Sequence, residues 1–299
     1  MTRLLAVFFL LLTVLSPVHA GSVHIVLSAD SDSHLQAASD IKAELEQQDA
    51  PPPVTVRLLK PFQSFQPAAD DLLVTVGEAA TRYVSQSYSE HSQLYSYINH
   101  MALPEPQAKH WASVMLDQPL QTLLDSAVDI VEGRYHNKLV IAVSEENQSM
   151  RLQIDQLTIP DSVELEVLVI EAEAEPAKII DQALFNAGAL IALRDSRIWS
   201  GETAKWMLYQ SYKYNVPVVG YSQSFLKAGA LVSVYASLRD IAHTTAQQII
   251  GWQNNQGRLT QEGILYPRLS IDYNKNIARA LNIPLPESMT AGEQNNVRD

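Results

Sequence analysis

Short apolar runs alternate with amphipathic stretches along most of the chain, and this alternation limits the possible folds more than any other feature. Residues 22–28, 54–59, 71–77 and 94–99 read as strands. A helix is expected over 35–45, and another opens at 78–80. A second set follows: helix 120–131, strand 138–144, helix 150–157, strand 165–170, helix 176–185, strand 189–193 and helix 203–212. Residues 138–144 form a near-continuous apolar run, as strands buried on both faces do. Strands alternating with helices lead to parallel sheets covered by helices on both faces. Two such sets imply an α/β protein of two Rossmann-like lobes.

At 299 residues and 46% hydrophobic side chains, the chain can bury a sizeable core in each lobe. A formal net charge of -12 argues against nucleic-acid binding, which needs a basic face. The N-terminus reads as a targeting signal. Arg3 is its positive end, 4–15 its apolar core, and Val18-His19-Ala20 its small-residue cleavage site, with Gly21 the expected mature start. That apolar core is too short to span a bilayer, and no later run is long and apolar enough to do so. The sequence has no cysteine, which excludes disulfides, thiol chemistry, cysteine-ligated metals and a lipid-modified cysteine. The expected state is a free, monomeric protein of a Gram-negative periplasm, with a polar tail over 289–299.

The C-terminal part is the most patterned. Val216-Pro217-Val218-Val219-Gly220 is a short buried run, and Gly229-Ala230 opens a further strand. Residues 238–252 place Ile241, Ala242, Ala246, Ile249 and Ile250 at helical spacing, with Gly251 near the stop. Residues 267–274 then lead into a last short helix over 277–281, closed by 282–286. In these positions the chain resembles the ABC-transporter substrate-binding proteins that include tryptophan- and tyrosine-binding members. It departs from their pattern at Ala242, where they carry Gly, and at Asp272 or Asn274, where they carry Asn. The resemblance implies a type I periplasmic binding protein fold, with parallel sheets joined by a three-strand hinge. The implied crossings lie near 116–117, 234–235 and 266–269. One lobe would hold 21–117 and 235–266, and the other 118–234 and 267–288.

Open parallel sheets bind ligands beyond the carboxyl ends of their strands. That rule selects Ser28, Asp30 and Ser31 after the first strand. Gly77 and Glu78 follow the third strand at a helix N-terminus, and Asn99 and His100 follow the fourth. In the second set it selects Ser144 and Glu145, Asp195 and Ser196, and Tyr221, Ser222 and Gln223. The resembling proteins carry a similar acidic-polar pair at Asp195-Ser196. Trp199, Tyr221 and Tyr235 offer aromatic surface with a polar handle. For each residue the alternative is a cap, a turn or core packing.

Catalytic readings fail on residue type. Gly220-Tyr221-Ser222-Gln223-Ser224 lacks the second Gly of a nucleophile elbow, and His243 is the one later histidine. The histidines show no metal-ligand spacing, Asp30 and Asp32 lack the rest of a calcium loop, and no Gly-rich phosphate loop is present. These readings and the resemblance lead to the expectation of a protein that is not an enzyme and has no cofactor. The resemblance implies that it binds a small organic ligand (an amino acid, an aromatic or an apolar compound) between its lobes and delivers it to the membrane permease of an ABC-type uptake system. The alternative is a sensory binding protein that signals to a membrane-bound kinase or cyclase.

Overall fold

The computed structural model describes residues 21–132 and 134–285; the segment read as a signal peptide and the tail from 289 lie outside the described residues. Among the described residues there are two six-stranded sheets. The first is built from β1 (Val23–Leu27), β2 (Val54–Leu58), β3 (Leu72–Val76), β4 (Ser92–Ile98), β5 (Trp111–Met115) and β11 (Gly263–Leu265). Its order is β11-β5-β4-β3-β1-β2, all parallel. The second contains β6 (Lys138–Ser144), β7 (Glu164–Ile170), β8 (Ala189–Ile191), β9 (Val218–Gly220), β10 (Val232–Tyr235) and β12 (Ser270–Tyr273), in the order β12-β10-β9-β8-β6-β7.

Burial explains why these runs are strands. Every residue of β1 and β3 is buried, so both pleat faces must be apolar and covered. One face of the first sheet packs against α1 (Asp32–Leu45) and α9 (Leu238–Asn254), which meet through Ile41, Leu45, Ile249 and the fully buried Trp252. The other face carries Phe62 of the short helix α2 (Leu59–Phe62) and Val84 of α3 (Glu78–Ser87). The second sheet is covered on one side by α4 (Leu120–Val131) and α10 (Lys275–Ala280). Its other side carries α6 (Pro176–Leu184) and α7 (Gly201–Lys213). Two short helices complete the second unit: α5 (Gln148–Ile154) after β6, and α8 (Gln223–Ala228) after β9.

Consecutive elements change sheet between β5 and α4, between β10 and α9, and between β11 and β12. Strands β5, β11 and β12 are absent from the sequence reading, and β12 adds one antiparallel pair to otherwise parallel sheets. It pairs antiparallel with β10, Tyr235 opposite Ser270 and Val232 opposite Tyr273. The reason is direction of travel: β10 carries the chain out of the second sheet and β12 brings it back beside it. The expected helix over 150–157 starts two residues earlier, because Asn147 caps it by accepting from the Met150 amide.

Candidate functional site

The strand ends of the first sheet hold most of the predicted residues, and most of their polar atoms serve the backbone. Ser28 Oγ accepts from the Ala80 amide at 2.9 Å, tying the exit of β1 to the first turn of α3. Gly77 sits at φ 89°, and a Cβ there would lie 2.6 Å from His34 Nε2 and 2.9 Å from Ser28 Oγ. This crowded, left-handed position requires glycine. Glu78 pairs with Arg82 on the exposed face of α3. Asp30 is exposed, Ser31 Oγ lies 2.6 Å from His34 Nδ1, and Asn99 caps a 3-10 turn at His100–Ala102 by accepting from the Ala102 amide.

In the second sheet Asp195 is fully buried and gathers its neighbours. Its Oδ2 accepts from the Ser144 amide at 3.0 Å, from Ser144 Oγ at 2.7 Å and from Asn147 Nδ2 at 3.3 Å. Its Oδ1 accepts from the Arg197 amide. The Asp195–Ser144 pair is thus a clamp between the ends of β8 and β6. Ser196 is exposed; Trp199 is buried in the core, edge-on to Phe225 with 5.6 Å between ring centroids. Ser222 caps α8, accepting from the Phe225 amide. Tyr235 donates to Asp272 Oδ2 at 2.5 Å across the β10–β12 pair, and burial together with that carboxylate pushes its phenol up to about 12.

Where the two sheets' carboxyl ends meet, four residues form a linked set that the sequence reading reached only at His100. Asp117, buried just after β5, accepts from the His100 amide at 2.6 Å and lies 2.9 Å from His100 Nδ1 through the same Oδ2. Tyr266, in the β11-to-β12 crossing, places its hydroxyl 3.0 Å from His100 Nε2. Arg194 Nε lies 3.1 Å from Asp117 Oδ1, an ion pair without hydrogen-bond alignment. The Arg194 guanidinium also lies over the Tyr221 ring, 4.8 Å from its centroid. Burial raises the Tyr221 phenol, Asp117 and Asp195 raise it further, and Arg194 opposes them. Tyr221 is the predicted aromatic that faces this junction.

Beside the junction is a cavity of about 510 Å³ at the carboxyl ends of β3 and β4. It is lined by Val76, Tyr97, Leu116 and Leu238, with His34 and the carboxylates Asp32 and Asp40 from α1. Tyr97 points there because β4 is irregular: the register to β5 shifts between Ser96 and Ile98, and Tyr97 adopts φ 57°. A bulge of this kind re-aims a side chain next to a site. Its hydroxyl donates to the Leu238 carbonyl at 2.9 Å, across to the start of α9. Burial raises its phenol well above the usual tyrosine range, and the nearby Asp40 adds to this. Among the described residues no cluster of three His, Asp or Glu side chains is placed to hold a metal ion.

No family model matches the chain, and no curated protein matches it. Solved structures do. An ABC domain from Streptococcus pneumoniae in complex with L-Trp superposes with a TM-score of 0.62 at 15% identity, covering 90% of this chain and 97% of that one. A ligand-free, open substrate-binding protein with adhesive properties from Clostridium difficile gives 0.63 at 10% identity, covering 89% and 96%. A periplasmic ribose ABC transporter protein from Conexibacter woesei gives 0.57 at 12% identity, covering 88% and 96%. The chain has the type I periplasmic-binding-protein fold. In a type I periplasmic-binding-protein fold the carboxyl ends of both sheets border one interlobe cleft, where ligand sites of open α/β sheets belong. Ser28, Gly77, Asn99, Ser144, Asp195 and Ser222 lie at or after strand ends and bond within the protein. Tyr97, Asp32, Asp40, Arg194 and Asp117 were missed. The available signal was position, since Arg194 adjoins Asp195 and Asp32 opens α1.

Proposed function

We propose that this protein is the periplasmic solute-binding component of an ABC-type uptake system, holding a small organic ligand between two lobes. The lobes are 21–117 with 235–266, and 118–234 with 267–285, hinged at the three crossings. The observation that supports the reading is the cavity at the ends of β3 and β4, which is lined from the first lobe alone and opens beside two of those crossings at Leu116 and Leu238. Its volume falls in the range of small-molecule sites, and walls that belong to crossing segments move when lobes close. The targeting signal at 1–20 supports a periplasmic location. Solute-binding proteins of the same fold, named above, support the role, and no step of bond making is assigned to any residue.

Native mass spectrometry of protein purified from the periplasm, before and after denaturation and refolding, tests this. A small-molecule adduct that is lost on refolding is the expected result. Protein that carries no adduct, and whose melting temperature responds to no compound in a broad metabolite screen, would overturn the reading.

A further inference from the structure

The cavity's lining is one-sided in charge, and this specifies a ligand class. Resting on the solute-binding reading above, we propose that the cavity between α1 and β4 takes an organic cation: a protonated amine carried on an apolar body. Val76, Leu116 and Leu238 supply apolar wall, and Tyr97 supplies an aromatic face. The charged side chains in the lining are Asp32 and Asp40; neither lysine nor arginine contributes. Asp40 Oδ1 accepts from Gln36 Nε2 at 2.7 Å, and its other oxygen meets no donor among the described residues. Asp32 forms no ion pair among them either. His34 is engaged at Nδ1 by Ser31, and its Nε2 edge packs against Gly77.

An anionic ligand is the competing class, because the N-termini of α1 and α9 border the cavity and favour negative charge. Both ends are already compensated. Asp32 occupies the first turn of α1, and Ser237 with Asp240 forms a capping box at α9. Arg194 pairs with Asp117, and Arg239, exposed at the start of α9, lies 3.8 Å from Glu44; neither lines the cavity. A carboxylate entering this space would meet two carboxylates and no cation. Asp32 and Asp40 stand about two turns apart on α1, so an ammonium would meet one of them; Asp40, beside Tyr97, offers a carboxylate and an aromatic ring together, the groups that recognise alkylammonium ions.

The test is calorimetric titration of refolded protein with matched probes on two bodies: phenethylamine, 2-phenylethanol and phenylacetate, and hexylamine, hexanol and hexanoate. The amines are expected to bind, with the alcohols and acids weaker by about tenfold or more, the scale of one charge-assisted contact. Asp32 is exposed and Asp40 half-buried, both outside the buried face of α1, so Asp40→Asn and Asp32→Asn are expected to fold. Asp40→Asn should weaken amine binding by about tenfold and reduce the preference for amine over alcohol, with Asp32→Asn weakening it less. Alcohols or acids binding as tightly as the amines, amine binding unchanged in the Asp32→Asn/Asp40→Asn double variant, or no probe binding at all would each overturn the inference. An adduct retained by the periplasmic protein would still uphold the solute-binding reading in all three cases; only its absence as well would remove both.

Discussion

Asp195 was selected for ligand contact, and the structure gives its carboxyl to the protein itself. Three donors converge on Oδ2 and a backbone amide meets Oδ1, all in a place with no solvent access. Removing the acceptor strands those donors. Asp195→Ala is therefore expected to destabilise the fold by about 2–4 kcal/mol, since each buried donor left unpaired costs about 1–3 kcal/mol. Urea unfolding measures this, and a loss below about 1 kcal/mol would show that water replaces the carboxylate. Residue type and position in the chain marked Asp195 as polar at a strand end. They did not reveal that its partners would be Ser144 and Asn147, because those meet it only when β6 and β8 lie side by side.

Elements in this protein are fixed at their amino ends as well as at the cleft. At the start of β1 and β3, Asp71 accepts from the Ser22 amide and the Ala68 amide, each at 2.7 Å, and meets His24 Nε2 at 2.9 Å. Burial raises the Asp71 carboxyl, but the hydrogen bonds from His24, Ala68 and Ser22 outweigh it and hold the carboxyl below its ordinary value of 3.8. A depressed carboxyl stabilises the folded state above the unfolded value, and that contribution is lost as pH falls through the folded one. Unfolding midpoints measured from pH 6 down to pH 3 should therefore fall more steeply below about pH 4 in the natural protein than in Asp71→Asn. Equal slopes would show that this end of the sheet is not held by the ionised carboxyl. The element boundaries follow from comparable local bonds: Asn147 starts α5 and Ser222 starts α8. The irregular β4 is different, since Tyr97 takes a left-handed backbone that its own sequence does not demand.

For the whole molecule, the junction residues link the ends of the two sheets. Arg194 follows β8 of one sheet, Asp117 follows β5 of the other, and His100 and Tyr266 brace Asp117 from behind. Arg194→Met keeps much of the side-chain volume and removes the charge. Small-angle scattering is expected to show a larger radius of gyration for this variant in the absence of ligand, because Asp117 then has no cation across the cleft. An unchanged radius would mean that packing, and not this pair, sets the distance between the sheets. The three crossings could be anticipated only from the likeness of 216–284 to a known family, because which sheet a strand joins is not a local property of its residues.

The sequence by itself determined the class of fold. A period of two in the strands and 3.6 in the helices is a local property, and the buried run at 138–144 already required a sheet covered on both faces. It also determined where the strand ends that border the candidate site lie, since these can be read from the order of elements. Only the tertiary structure decided which polar groups are free there. Ser28, Asn99, Ser144, Asp195 and Ser222 are taken up by backbone and side-chain partners. Asp32, Asp40 and the re-aimed Tyr97 line the cavity. The physical reason is that a hydrogen bond or ion pair depends on distance in space, and partners such as Asp117 and Arg194 lie on different sheets and far apart in the chain. Local pattern fixes the elements; the satisfaction of buried polar groups is settled only when those elements pack.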